Sequence, residues 1–294
     1  MRSWLIVLVL CVASSAAFSQ TTIPPSTVPA AIYTDPPADP FHPAISTVLH
    51  IPSHGVSING LIYQPAGPGP HPTLIICHGL PGNEKNLDLA QAVRRAGWNA
   101  VTFNYRGSWG SPGSFGFAHS LEDADAVLAY LRDPANATAL GIDPQRIAIA
   151  GHSMGGWVAA LTAGHDHKLI IGVIMISGAD MGFTGEQPRD AVVSEMAHNM
   201  DSLSGVTAEG MADELRTNAK AFRWDTVVPA LTQTPLLVLT SNDGLASMDD
   251  NFAHAIRAQG GKNVTATHFA TDHSWNDLRI ALESTIITWL GRLH

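Results

Sequence analysis

The chain has 294 residues, 45% of them hydrophobic and 14% charged, a globular composition with length enough for one large α/β domain. Its 25 acidic residues outnumber 16 basic ones for a formal charge of −9, and no basic cluster occurs, which excludes a partner bound through the nucleic-acid backbone. Mean hydropathy is +0.09, yet the one long uninterrupted apolar run lies at the N-terminus, which excludes a polytopic membrane protein.

That run, Trp4 to Ala13, is about half the ~20 residues needed to span a bilayer and follows a short basic start at Arg2. It reads as a signal peptide over residues 1–19, with Ala17 and Ser19 as the small residues before a cleavage point at Gln20. The expected product is exported to the periplasm or the medium and has no stable membrane insertion; an uncleaved anchor is the alternative. Leu10 before Cys11 does not suit lipidation, and after cleavage only Cys77 is left, so no intramolecular disulfide can form. Residues 20–43 carry Pro24, Pro25, Pro29, Pro36, Pro37, Pro40 and Pro43 with hardly any apolar periodicity, which predicts an extended linker before a folded domain from Ala44.

From there, short β-branched runs alternate with amphipathic stretches, the pattern of a mostly parallel sheet covered on both faces. Ile45 to Ile51 and Val56 to Tyr63 read as an opening hairpin. Six further strands are expected at Thr73–Cys77, Asn99–Tyr105, Arg146–Ala150, Leu169–Ile176, Pro235–Ser241 and Val264–Ala270. Helices are expected at Asn86–Ala96, Ser120–Arg132, Met154–Gly164, Met248–Gln259 and Trp275–Leu293. Residues 178–231 break the alternation with two helix-like stretches, Arg189–Leu203 and Ala208–Phe222, and read as a small helical cap inserted after the sixth strand.

The chemistry gathers where strands end. Gly151-His152-Ser153-Met154-Gly155 follows one strand and opens a helix, the context that a G-x-S-x-G nucleophile elbow needs. Its glycines leave room for a tight turn that presents Ser153 near a helix N-terminus, where negative charge is favoured. A serine needs a base, and the base an orienting acid. His273, after the last strand, is the candidate base among 14 histidines; His268 falls inside a strand, and His152 suits a supporting role. His165-Asp166-His167 ends a helix and reads as a solvated turn rather than a metal site.

For the acid, Asp243 follows the seventh strand and gives the chain order serine, aspartate, histidine; Asp180, after the sixth, is the competitor. Asp249 and Asp250 begin a helix, where carboxylates favour the dipole, and Asp272 shapes a turn. His78-Gly79-Leu80-Pro81-Gly82 follows the third strand. The backbone N–H groups of Leu80 and Met154 are the expected oxyanion donors, and an ordinary Gly-Pro turn is the bland alternative.

With these motifs in this order, the sequence resembles the α/β-hydrolase superfamily from Ala44 to His294. His78-Gly-Leu-Pro-Gly82, Asn104-Tyr-Arg-Gly107 and Ser241-Asn-Asp-Gly244 are similar to dienelactone-hydrolase-like proteins and to the prolyl oligopeptidase catalytic domain. It departs from the first in carrying Ser153 where those enzymes carry cysteine, and from the second in lacking room for a propeller before Ala44. A haloalkane dehalogenase would need aspartate at the elbow. The resemblance implies an eight-stranded α/β-hydrolase fold and a serine hydrolase of small esters acting through an acyl-enzyme. A small serine exopeptidase and a binding protein without turnover are the alternatives. These motifs call for no metal or organic cofactor.

Gly107, Gly110, Gly113 and Gly116 lack the spacing and the lysine of a phosphate loop and read as a flexible rim, with Trp109, Phe115 and Phe117 as pocket-lining candidates. In the cap, Met181, Phe183, Met196, Met200 and Met211 either line an acyl pocket or form the cap's own core. Exported protein should begin at Gln20; an intact mass that still includes Trp4 to Ala13 would favour the anchor.

Overall fold

In the computed structural model, residues 28–166 and 170–293 are described; the expected signal peptide and the first part of the linker lie outside them. All eight expected strands form: β1 (Ile45–Ser53), β2 (Val56–Gln64), β3 (His71–Cys77), β4 (Asn99–Phe103), β5 (Ile142–His152), β6 (Ile170–Ile176), β7 (Leu236–Thr240) and β8 (Val264–His268). They make one sheet in the order β1-β2-β4-β3-β5-β6-β7-β8. The β1–β2 hairpin is antiparallel and meets β4 antiparallel, and every later pairing is parallel. His54 and Gly55, at φ 44° and 88°, close the hairpin between Ser53 and Val56, a two-residue turn whose left-handed backbone matches strand twist.

The helices are α1 (Ala30–Tyr33), α2 (Leu87–Arg95), α3 (Phe117–Arg132), α4 (Pro134–Leu140), α5 (Met154–His165), α6 (Met181–Glu186), α7 (Arg189–Ala197), α8 (Ala208–Phe222), α9 (Val228–Leu231), α10 (Ala246–Ala258) and α11 (Arg279–Leu290). Alternate strand residues feed two cores, as a sheet covered on both faces requires. Ile75, Ile149, Val173 and Val238 pack with Val127, Trp157 and Phe252 of α3, α5 and α10. Leu74, Ala148, Ile174 and Leu237 pack with Leu89 of α2 and with Leu282, Ile286 and Trp289 of α11.

Three expectations are corrected. The expected linker is not extended throughout: α1 packs against α2, and Arg95 Nε donates to the Ala31 carbonyl at 2.5 Å. The last helix begins at Arg279 instead of Trp275, because residues from Ser274 to Leu278 turn to carry the loop after β8. Phe115 and Phe117 are buried edge-to-face in the first core and serve as packing there.

The cap spans α6 to α9. Met181, Met196 and Met211 are buried in a core continuous with that of the sheet, so they serve as packing. Trp157 Nε1 donates to the Phe222 carbonyl at 2.6 Å, and Ser204 N and Phe115 N exchange bonds with Gly107 O and Ser204 O, tying the cap to the glycine-rich loop.

Under that loop lies a buried ion pair. Asp123 of α3 is fully buried and accepts from Arg106 N and Nε, each at 2.7 Å, and from Ser53 Oγ at 2.5 Å. One carboxylate thus joins β1, the loop after β4 and α3. Arg106→Ala would leave Asp123 charged, buried and without its cation, and should lower unfolding free energy by about 3 kcal/mol at neutral pH. Denaturant unfolding checks this; a change below about 1 kcal/mol would show that the pair is dispensable.

Candidate active site

Ser153 stands between β5 and α5 at φ 57° and ψ −126°, a strained backbone for a residue with a side chain. The fold holds it there with three backbone bonds. Ser153 N donates to Ile176 O at 3.0 Å, while its carbonyl accepts from Gly156 N at 2.9 Å and Ala179 N at 3.1 Å. The turn closes because its glycines lack β-carbons: one on Gly151 would lie 1.8 Å from Gly155 O, and one on Gly155 would lie 2.1 Å from Cys77 O.

The loop after β3 passes directly beside the serine. A β-carbon on Gly79 would sit 2.9 Å from Ser153 Cβ, so the backbone entering Leu80 borders the side chain. Met154 opens α5, and the first N–H groups of a helix have no acceptor within it. Leu80 and Met154, the residues expected to supply oxyanion donors, thus lie in the two segments next to Ser153. The loop is braced from behind: His78 is buried, donates from Nδ1 to Gly79 O at 2.7 Å and packs against the Tyr105 ring at 4.5 Å. Burial pulls the His78 imidazole down to about 4, so it is neutral at neutral pH. Trp109 Nε1 and Ser202 Oγ both donate to Pro81 O, at 2.7 and 2.8 Å. Trp109 is thus the exposed aromatic of the rim and stands on the loop after β3.

His273 Nδ1 donates to Asp243 Oδ2 at 2.8 Å. His152, next to Ser153, donates from Nε2 to the His273 carbonyl at 2.7 Å, and the two rings lie 4.6 Å apart. The carbonyl can only accept, so His152 carries its proton on Nε2. Burial, helped by the neighbouring His273, lowers the His152 imidazole to about 4. A neutral histidine therefore ties the elbow to the loop after β8, the supporting role expected of it.

Burial alone would raise the Asp243 carboxyl. Bonds from His273, from Leu245 N at 2.9 Å and from Ser241 Oγ at 2.8 Å outweigh it and hold the group well below the usual carboxylate range. Asp180 stands elsewhere: it caps α6 through Gly182 N at 2.9 Å and pairs with Arg223 Nε at 3.1 Å. His268 ends β8 with its ring between Thr240 Oγ1 and Asn242 Oδ1. Asp272 turns the loop by accepting from Asn276 N at 2.9 Å.

Asp249 stands in the first turn of α10, as expected. It is fully buried against Gly178, and burial reinforced by the charge of Asp243 pushes its carboxyl well above the ordinary value. Asp166 pairs with Arg132, and His167 lies outside the described residues. Sequence reasoning missed Ser241 and Ser177, whose hydroxyls lie 2.8 Å apart behind Asp243. No pattern separates a serine that supports an acid from any other at a strand end.

An eight-stranded, mostly parallel sheet with this site at the ends of its parallel strands defines a hydrolase of the α/β class. The chain belongs to the Alpha/beta hydrolase family, matching it over residues 74–279. Among curated proteins, a para-nitrobenzyl esterase of Bacillus subtilis is 30% identical over 188 residues, 54% of this chain and 37% of that one. An uncharacterized 31.7 kDa protein of Escherichia coli is 32% identical over 144 residues, 47% and 48% of the two chains. The chain thus spans about half the length, or less, of the curated relatives it matches. Among solved structures, a thermostable carboxylesterase cloned from a metagenomic library superposes with TM-score 0.65 at 24% identity, covering 90% of this chain and 92% of that one. An esterase of Pyrobaculum calidifontis gives 0.64 at 21%, covering 85% and 86%. At such identities the likeness shows the fold.

Asp243→Asn should lower turnover of an activated ester by about 10³-fold or more, because an amide can donate where the histidine needs an acceptor. Asp180→Asn should leave turnover within a few-fold while lowering the melting temperature, since Arg223 and α6 lose a buried partner. The opposite ranking would move the acid to the loop after β6.

Proposed function

We propose that the protein is an exported serine hydrolase that cleaves carboxylic esters of small or compact substrates through an acyl-enzyme. The observation that carries this is the 2.8 Å bond from His273 Nδ1 to an ionised Asp243, on a loop tied through His152 to the strained Ser153 elbow. That bond leaves His273 Nε2 as the ring's acceptor, the tautomer of a general base. His273 takes the Ser153 proton as Oγ attacks the ester carbonyl carbon. The carbonyl oxygen becomes an oxyanion held by the N–H groups of Leu80 and Met154. Collapse expels the alcohol, which leaves with the proton from His273. Water then repeats the attack on the acyl-enzyme and releases the acid and Ser153. Relatives and fold neighbours described as esterases support the choice of ester.

The cap supports compact substrates. Its outer surface carries ion pairs, Arg189 with Asp213 and Arg223 with Glu186 and Asp225. Phe183 is its one exposed large hydrophobic residue. A lid that opens on a lipid surface needs a wide apolar patch.

Ser153→Ala should remove nearly all ester turnover with little change in melting temperature. Rates on p-nitrophenyl esters from C2 to C16 should peak at short chains, and aminoacyl anilides should be cleaved slowly; a maximum at C12 or longer, or a jump on emulsions, overturns the compact-substrate reading. The Asp243 carboxyl, held well below the usual carboxylate range, should stay ionised in mild acid, so log kcat/KM against pH should fall with a slope of one on the acid limb. A slope of two would mean that the carboxyl titrates there as well.

A further inference from the structure

The donors behind Asp243 can each be assigned a direction. The Trp275 indole N–H can only donate, and it meets Ser177 Oγ at 3.1 Å. An ionised carboxylate can only accept, so the Ser241 hydroxyl spends its proton on Asp243 Oδ2 at 2.8 Å. Ser241 then has only lone pairs to offer Ser177, and at 2.8 Å the Ser177 hydroxyl must be the donor between them. The sequence of bonds runs one way, from Trp275 through Ser177 and Ser241 to the same oxygen that accepts from His273 Nδ1. Both outer members stand on left-handed backbone, Ser177 at φ 46° and Trp275 at φ 61°, and both are fully buried. Conformations of this kind cost about 1 kcal/mol or more and persist where surroundings enforce them.

Building on the reading of Asp243 as the triad acid, we propose that Ser177, oriented by Trp275, is a positioning residue: through Ser241 it supplies a one-way series of donors that fixes the carboxylate where His273 meets it. The device suits its surroundings. The titratable groups that face Asp243 or its neighbours are His273, the neutral His152, the buried Asp249 and Arg279, which acts on His152 and donates to Ser274 O. No cation bonds the carboxylate as an ion pair of Arg or Lys would, so beside His273 it is hydroxyl and amide donors that stabilise the charge. Ser177 N also donates to Leu239 O at 2.8 Å, and Ala179 N, two residues on, donates to Ser153 O. One turn after β6 thus reaches both the acid and the nucleophile elbow.

The test compares Ser241→Ala, Ser177→Ala and the double variant, each change deleting a single oxygen. Ser241→Ala should lower kcat for an activated ester by roughly ten-fold with KM within about two-fold, because the lost bond is to a charged group in the catalytic machinery. The acid limb of kcat/KM should move to higher pH, and the Asp243 carboxyl, followed by carbon NMR, should titrate closer to the ordinary value near 3.9. Ser177→Ala should show the same signature at smaller size, and the double variant should lose less than the product of the single losses, since Ser177 acts mainly through Ser241 and only weakly on the carboxylate itself. An unmoved acid limb and carboxyl titration in both single variants would overturn the proposal. So would losses that multiply, which would make Ser177 independent of Ser241. The carboxyl titration needs no substrate, so it judges the donor series even if Ser153→Ala retains turnover and the esterase reading falls.

Discussion

Between the end of β5 and the first turn of α5 there is no space for a side chain at Gly151 or Gly155, because the helix start is pressed against the carbonyl of Cys77 on β3. That approach forces Ser153 into left-handed backbone and turns its side chain out of the sheet. Everything else at the site is organised around the point so fixed. The loop after β3 touches it through Gly79, the turn after β6 bonds its carbonyl, and the loop after β8 is tied to it through His152. The strain is sustained because neighbouring strands of one sheet supply the partners, and a parallel sheet brings all these loops to one edge.

Polar groups around this point divide by charge. His78 and His152 are buried and neutral, so they brace loops by donating to carbonyls without adding positive charge near His273. Asp243 and the exposed Asp272 beside His273 are both held below the usual carboxylate range, while buried Asp249 is pushed the other way. Two carboxyls close together cannot both be charged in a poorly solvated space, and donors have been given to only one of them. A charged Asp249 at the start of α10 would meet the same dipole but would have to leave its site beside Gly178.

The strands were legible because strands buried on both faces give continuous apolar runs such as Ile170–Ile176. Ser153 and Asp243 were legible as positions for the same reason, each following such a run, whereas His273 was legible only as a histidine after the last strand, the half-exposed Val264–His268. Short elements were not. The α4 helix rests on an Asp133-Pro134 start whose carboxylate accepts from Ala135 N and Asn136 N, a capping signal masked by the longer helix just before it. The α6 helix contains Gly182 and Gly185, poor helix formers accepted because α8 packs so closely that any β-carbon would strike its backbone. Asp249 stands in the first turn of α10 as its sequence position implied, but its burial was not legible, because it depends on a turn some 70 residues earlier. Ser177 and Trp275 carried no motif, Ser241 stood in one without a role assigned to it, and only the meeting of three loops makes them neighbours.

The order of these parts along the chain bears on when the molecule becomes competent during its own synthesis. The elbow needs nothing beyond Ala179 for its backbone bonds, so the nucleophile can be set once β6 has joined the sheet. His273, Trp275 and the whole of α11 come last, and α11 supplies Leu282, Ile286 and Trp289 to cover one face of β6 and β7. A growing chain that has not yet reached them has an apolar sheet face open to water and a serine without a base. Closing that face and bringing His273 to the loops draw on the same last stretch of chain, so on the proposed reading a chain that lacks it carries Ser153 without its base.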